Sequence, residues 1–103
     1  MASRLEQLRR LAAAQPNDPF THYGVALECV KLERWDDALA AFEHALALDP
    51  SYTAAHMQKA QLQIRLGRRD AAAETLRTGI AAARAKSEKH TADEMNKMLE
   101  ALG

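Results

Sequence analysis

The chain repeats itself every 34 residues, and that period constrains its fold more than any other property. Shifted by 34, His22 falls on His56, Ala26 on Ala60, Val30 on Ile64 and Leu32 on Leu66. Further along, Ala38 falls on Ala72, Phe42 on Leu76, Ala45 on Gly79 and Leu46 on Ile80. Small residues meet small ones and large apolar residues meet large apolar ones. A unit of this length holds two helices and two turns. One such pair cannot bury its apolar face alone, so neighbours must stack, and the period marks an all-α solenoid.

The scarce prolines and glycines show where the helices break. Pro16 and Pro19 bracket Asn17 and Asp18, Pro50 follows Asp49, and Gly67 separates Leu66 from Arg68. These points cut the chain into pieces of ordinary helix length. Apolar spacing predicts helices over 3–14, 19–32, 35–48, 51–66, 70–83 and 87–102. The Asp-Pro pairs at 18–19 and 49–50 read as helix starts, because aspartate accepts from free amides and proline fits the first turn. No stretch alternates with period two, so no strand is expected. The join between the last two helices carries neither proline nor glycine. Either Ser87 or Thr91 caps a new helix there, Thr91 with Glu94 having capping-box spacing, or the two segments form one long bent helix. The repeat phase favours the break. The expectation is antiparallel helix pairs, five to six helices in all.

Composition narrows the function. The chain has 103 residues, the size of one small domain spanning 1–103. Fourteen basic residues balance fourteen acidic ones, so no net field draws nucleic acid or an anionic membrane. Cys29 is alone and cannot form an internal disulfide. The apolar runs are too short to span a bilayer, and Met1 to Arg10 lack the apolar core of a secretory signal, so a cytoplasmic location is expected.

The repeat resembles the tetratricopeptide repeat family. Counting from Pro19, Ala26 takes the family's small position in the first helix, and Trp35 takes the aromatic position that opens the second. Ala38, Phe42, Ala45 and Pro50 follow at its small, aromatic, small and proline positions. The next repeat keeps Ala60, Gly67, Ala72, Leu76 and Gly79, but has Arg69 for the aromatic and Arg84 for the proline. His22 and His56 stand where the family prefers tryptophan. The resemblance implies an N-terminal capping helix over 3–18, repeats over 19–52 and 53–86, and a C-terminal capping helix over 87–103. Segment 3–18 is similar to the second helix of a preceding repeat, with Leu8 at the large position.

In this family the first helices line a concave groove that binds peptides. The resemblance carries that groove to Phe20, Tyr23, Leu27, Val30 and Lys31, and then to Ala54, Met57, Gln61, Ile64 and Arg65. This is an apolar, partly aromatic strip with a basic edge, suited to an amphipathic or extended apolar segment of a protein partner. The alternatives are that the end helices cover the strip as core, or that it joins two copies in a homodimer. Where some members hold a peptide's terminal carboxylate, this chain has Tyr23, Leu27 and Gln58, so no such clamp is implied.

Four further groups have structural readings. His22, His56 and His90 recur at 34, but packed helices lie about 8–10 Å apart while metal ligands sit within about 2 Å of one ion, so no metal is expected. Filling the aromatic position is the better account. Cys29 lies on an apolar face, with no His or basic residue placed one turn away to activate it. Arg65, Arg68 and Arg69 suit a helix C-terminus. Met95, Met98, Leu99 and Leu102 form a stripe that either caps the stack or joins a dimer. There is no phosphate loop, no paired nucleophile and no convergent carboxylates. The expectation is a non-enzymatic interaction module without cofactor, the alternative being a self-associating structural domain that uses the groove or the last helix.

Overall fold

Six helices follow one another in a computed structural model that describes residues 2–103. They are α1 (Arg4–Ala14), α2 (Pro19–Lys31), α3 (Trp35–Leu48), α4 (Thr53–Arg65), α5 (Arg69–Ala85) and α6 (Lys89–Leu102). No strand occurs among the described residues. Packing divides the chain into two units, the first running through Asp49 and the second from Pro50 to Gly103.

In the first unit, α2 packs against both α1 and α3. Ser3 caps α1 by accepting from the Glu6 amide at 3.1 Å, and Asp18 caps α2 by accepting from the Phe20 amide at 2.9 Å. The core takes Leu5 and Ala12 from α1, Val25, Ala26 and Cys29 from α2, and Ala38, Phe42 and Ala45 from α3. Alanine at 26, 38 and 45 leaves no side-chain bulk between backbones, and Phe42 fills the space so opened.

In the second unit, α5 packs against α4 and α6. Ala60, Leu76, Ile80, Ala83, Ala92 and Met95 form one buried cluster, with Met57, Met98, Leu99 and Leu102 packed on it. The methionine–leucine stripe of α6 therefore faces its own unit. Polar links tie the same helices: Thr75 donates to Gln63 at 2.7 Å, and Thr53 donates to the Glu88 carboxylate at 2.6 Å.

The helix breaks depart from expectation in two places. Asp49 and Pro50 do not start a helix. Asp49 ends α3, and α4 begins only at Thr53, after Tyr52. Between α5 and α6 the chain does break, but neither Ser87 nor Thr91 caps. Glu88 is the N-cap without a side-chain cap bond, its carboxylate being taken by Thr53, and Thr91 lies inside α6.

The break itself is a C-terminal motif of α5. Ser87 adopts φ 59°, its amide bonds the Arg84 carbonyl at 3.0 Å, and the Glu88 amide bonds the Ala83 carbonyl at 2.8 Å. This 5→2 and 6→1 pair is a Schellman closure. The same pair ends α2 around Glu33 (φ 60°) and α4 around Gly67 (φ 76°).

Candidate protein-interaction surface

Each unit presents its own part of the strip expected from the sequence. On α2, residues 20, 23, 27, 30 and 31 recur at three and four apart and so share a face. Phe20 is 69% exposed and Leu27 38% exposed, with exposed Lys31 at the edge. Tyr23 and Val30 are half-buried. The Tyr23 ring tilts against Phe42 with centroids 6.1 Å apart, and burial pushes its phenol above the ordinary range.

On α4, Met57, Gln61 and Arg65 lie one turn apart on one face. Gln61 and Arg65 are exposed. Met57 is half-buried and packs on the second unit's cluster, so it serves that core as well as the strip.

The other singled-out residues have structural partners. His22 Nε2 donates to the Pro16 carbonyl at 2.9 Å, and His56 Nε2 donates to the Pro50 carbonyl at 2.8 Å. Each ring thus closes the turn ahead of its helix. His22 also stacks on His44, centroids 3.8 Å apart. His90 instead meets Glu94 at 2.7 Å on the surface of α6. Among the described residues, no group of three or more His, Cys, Asp or Glu side chains is placed to hold a metal ion. Arg69 donates to the Leu102 carbonyl, tying the start of α5 to the end of α6.

Cys29 is fully buried, and burial pushes its thiol up. Arg9, reaching from α1, and Arg34 pull it down, while Asp37 pushes it up. The cations missing from its own helix turn are therefore supplied from elsewhere, yet burial prevails and the thiol stays protonated. A protonated, enclosed thiol is a packing group.

Two features were missed from sequence. One is the Pro-x5-His spacing, present at 16–22 and 50–56, which carried the signal for the two ring–carbonyl bonds. The other is a recess of about 310 Å³ between α1 and α2, lined by Arg4, Leu8, Gly24, Leu27, Glu28 and Lys31. Glu28 is 5% exposed at its side chain and pairs with Arg4 at 3.4 Å and Lys31 at 4.0 Å. Both cations stay largely in water, at 72% and 76% exposed.

Residues 30–92 match the model of the tetratricopeptide repeat. No curated protein matches the sequence. Among solved structures, a tetratricopeptide repeat domain protein from Salinibacter ruber is 33% identical, with a TM-score of 0.79 over 84% of this chain and 88% of that one. The TPR2B domain of yeast Sti1, solved as a pHsp70 complex, is 21% identical, with a TM-score of 0.88 over 95% of this chain and 78% of that one. PcrH, solved with the chaperone binding region of PopD, is 20% identical, with a TM-score of 0.88 over 95% and 74%. No helix of the described residues is long and apolar enough to cross a membrane. With the family model covering more than half of its length, this chain belongs to the tetratricopeptide repeat family.

Proposed function

We propose that the protein is a non-enzymatic protein–protein interaction module, holding a peptide or helix of its partner on the apolar strip of α2 and on that of α4, the positions that line a concave groove in the family. The observation that carries this reading is on α2. Phe20 and Leu27 stand exposed on a helix whose other apolar residues are buried or half-buried, and Lys31 sits at the strip's edge. Exposed apolar side chains sharing a face with a charged rim suit an apolar ligand with an acidic edge. Support also comes from relatives of the same fold, solved with pHsp70 in one case and with a region of PopD in the other. The rival reading is self-association through the groove or α6; on α6 it has less support, because Met95 is buried and Met98, Leu99 and Leu102 are partly buried against the second unit's own cluster.

An affinity capture from native lysate, read by mass spectrometry, compares wild type with Leu27→Glu. Burying such a side chain contributes about 1.5–3 kcal/mol, so the variant should lose its specific partner by more than about tenfold. Its circular dichroism melt should stay close to wild type. Identical captures from both proteins would refute the strip as the binding surface.

A further inference from the structure

The second unit shows what belongs in the recess of the first. Two periods of 34 carry α1 and α2 onto α5 and α6: Arg4 onto Ala72, Leu8 onto Leu76, Gly24 onto Ala92, Leu27 onto Met95 and Lys31 onto Leu99. In the second unit Ala72, Leu76 and Met95 are fully buried and Ala92 nearly so. Leu76, Ala92 and Met95 share one cluster, to which α4 adds Ala60 with Met57 packed on it. In the first unit Leu8 stays half-exposed and Leu27 exposed, and the recess lies between them. Its floor is loosely filled, since a Cβ on Gly24 would meet only Leu8 Cδ2, at 3.7 Å.

The exchanged residues indicate the charge of the occupant. Arg4 and Lys31 replace an alanine and a leucine, and Glu28 alone offsets two cations. A second copy docking symmetrically would set these like charges against each other. A partner carrying carboxylates would instead pair with them.

We propose that the recess between α1 and α2 docks an acidic amphipathic helix of a partner protein, seated over Leu8 and Gly24 much as α4 packs on α5 and joins the cluster of Leu76 and Met95. Like α4, the helix carries a large apolar residue three positions before a small one, and it adds carboxylates toward Arg4 and Lys31. This site goes beyond the α2 and α4 strips. It shares Leu27 and Lys31 with them, but Leu8 and Gly24 are its own.

The test is a heteronuclear NMR titration of the whole protein with two synthetic peptides. One has the sequence of residues 50–68. The other is the same peptide with Lys59→Glu, Gln61→Glu and Arg65→Glu. The acidic peptide is expected to shift the Leu8 and Gly24 amide signals and to bind about tenfold tighter than its parent or better. Its advantage should disappear at about 0.5 M salt, where exposed charges are screened. Gly24→Met fills the recess from its floor and improves the helix former, so the variant stays folded and should lose the acidic peptide. Equal affinity for the two peptides, or undiminished binding to Gly24→Met, would overturn the proposal. So would shifts confined to Phe20, Tyr23 and Met57, a result that favours the strips. Shifts at Leu8 and Gly24 on concentrating the protein alone would make a second copy the occupant and would also overturn it.

Discussion

What a glycine contributes to a helix depends on what lies against it. In an open helix interior, glycine to alanine gains about 1 kcal/mol from backbone entropy. At Gly24 a Cβ would make one ordinary contact with Leu8, so Gly24→Ala should raise stability by about 0.5–1 kcal/mol in a urea melt. At Gly79 the Cβ would lie 2.7 Å from Met95 Sδ and 2.8 Å from His56 Cβ. Met95 can swing aside, but a Cβ is fixed to its backbone, so Gly79→Ala should cost about 1–3 kcal/mol. Stabilisation by both substitutions would show that α4, α5 and α6 do not approach this closely. The repeat marked position 79 as small, since it falls on Ala45. It could not mark it as smaller than alanine, because Met95 and His56 come from two other helices. The histidines divide in the same way. Their spacing was legible, whereas their carbonyl partners had to be seen in the turns. His56→Ala removes one such bond and should cost about 1 kcal/mol or more, read in the same melts.

Helix extents were legible where Asp18–Pro19 and Gly67 punctuated the chain, and α3 falls where its apolar spacing predicts, but Asp49–Pro50 misplaced the start of α4, which begins at Thr53. The α5–α6 break was the obscure one, and its chemistry explains why. Three turns close by the same motif, but only Gly67 advertises it; Glu33 and Ser87 hold positive φ without a glycine's ease. Left-handed geometry costs an L-residue about 1 kcal/mol. Ser87→Gly should therefore raise the melting temperature, and Gly67→Ala should lower stability by about 1 kcal/mol. Loss of stability in Ser87→Gly would argue against that turn geometry. α6 packs on α5 through Ala92 and Met95. Deleting 87–103 removes Ala92 and Met95 and uncovers Leu76, Ile80 and Ala83. Exposing each large side chain costs about 1.5–3 kcal/mol, so the truncated protein should melt well below wild type. An unchanged melt would refute the capping role.

At the scale of the whole molecule, the period revealed which helix faces recur but not how deeply each residue sits. Phe20, Leu27 and Lys31 are exposed where the strip was expected, while Tyr23, Val30 and Met57 are partly taken up by packing. The recess went unseen because Leu8 has the spacing of a core residue, and only its half-exposure distinguishes it from Leu76. The two turn-closing histidines have one more consequence. A carbonyl only accepts, so each bond holds its proton on Nε2, His22 in one unit and His56 in the other. Each unit thus contains a native spectroscopic reporter whose ring-nitrogen shifts should relax to the solution tautomer mixture when its turn opens. Followed through a denaturant series in nitrogen-15 protein, the pair would disclose whether the two halves lose structure as one cooperative body or in succession, without any foreign probe being attached.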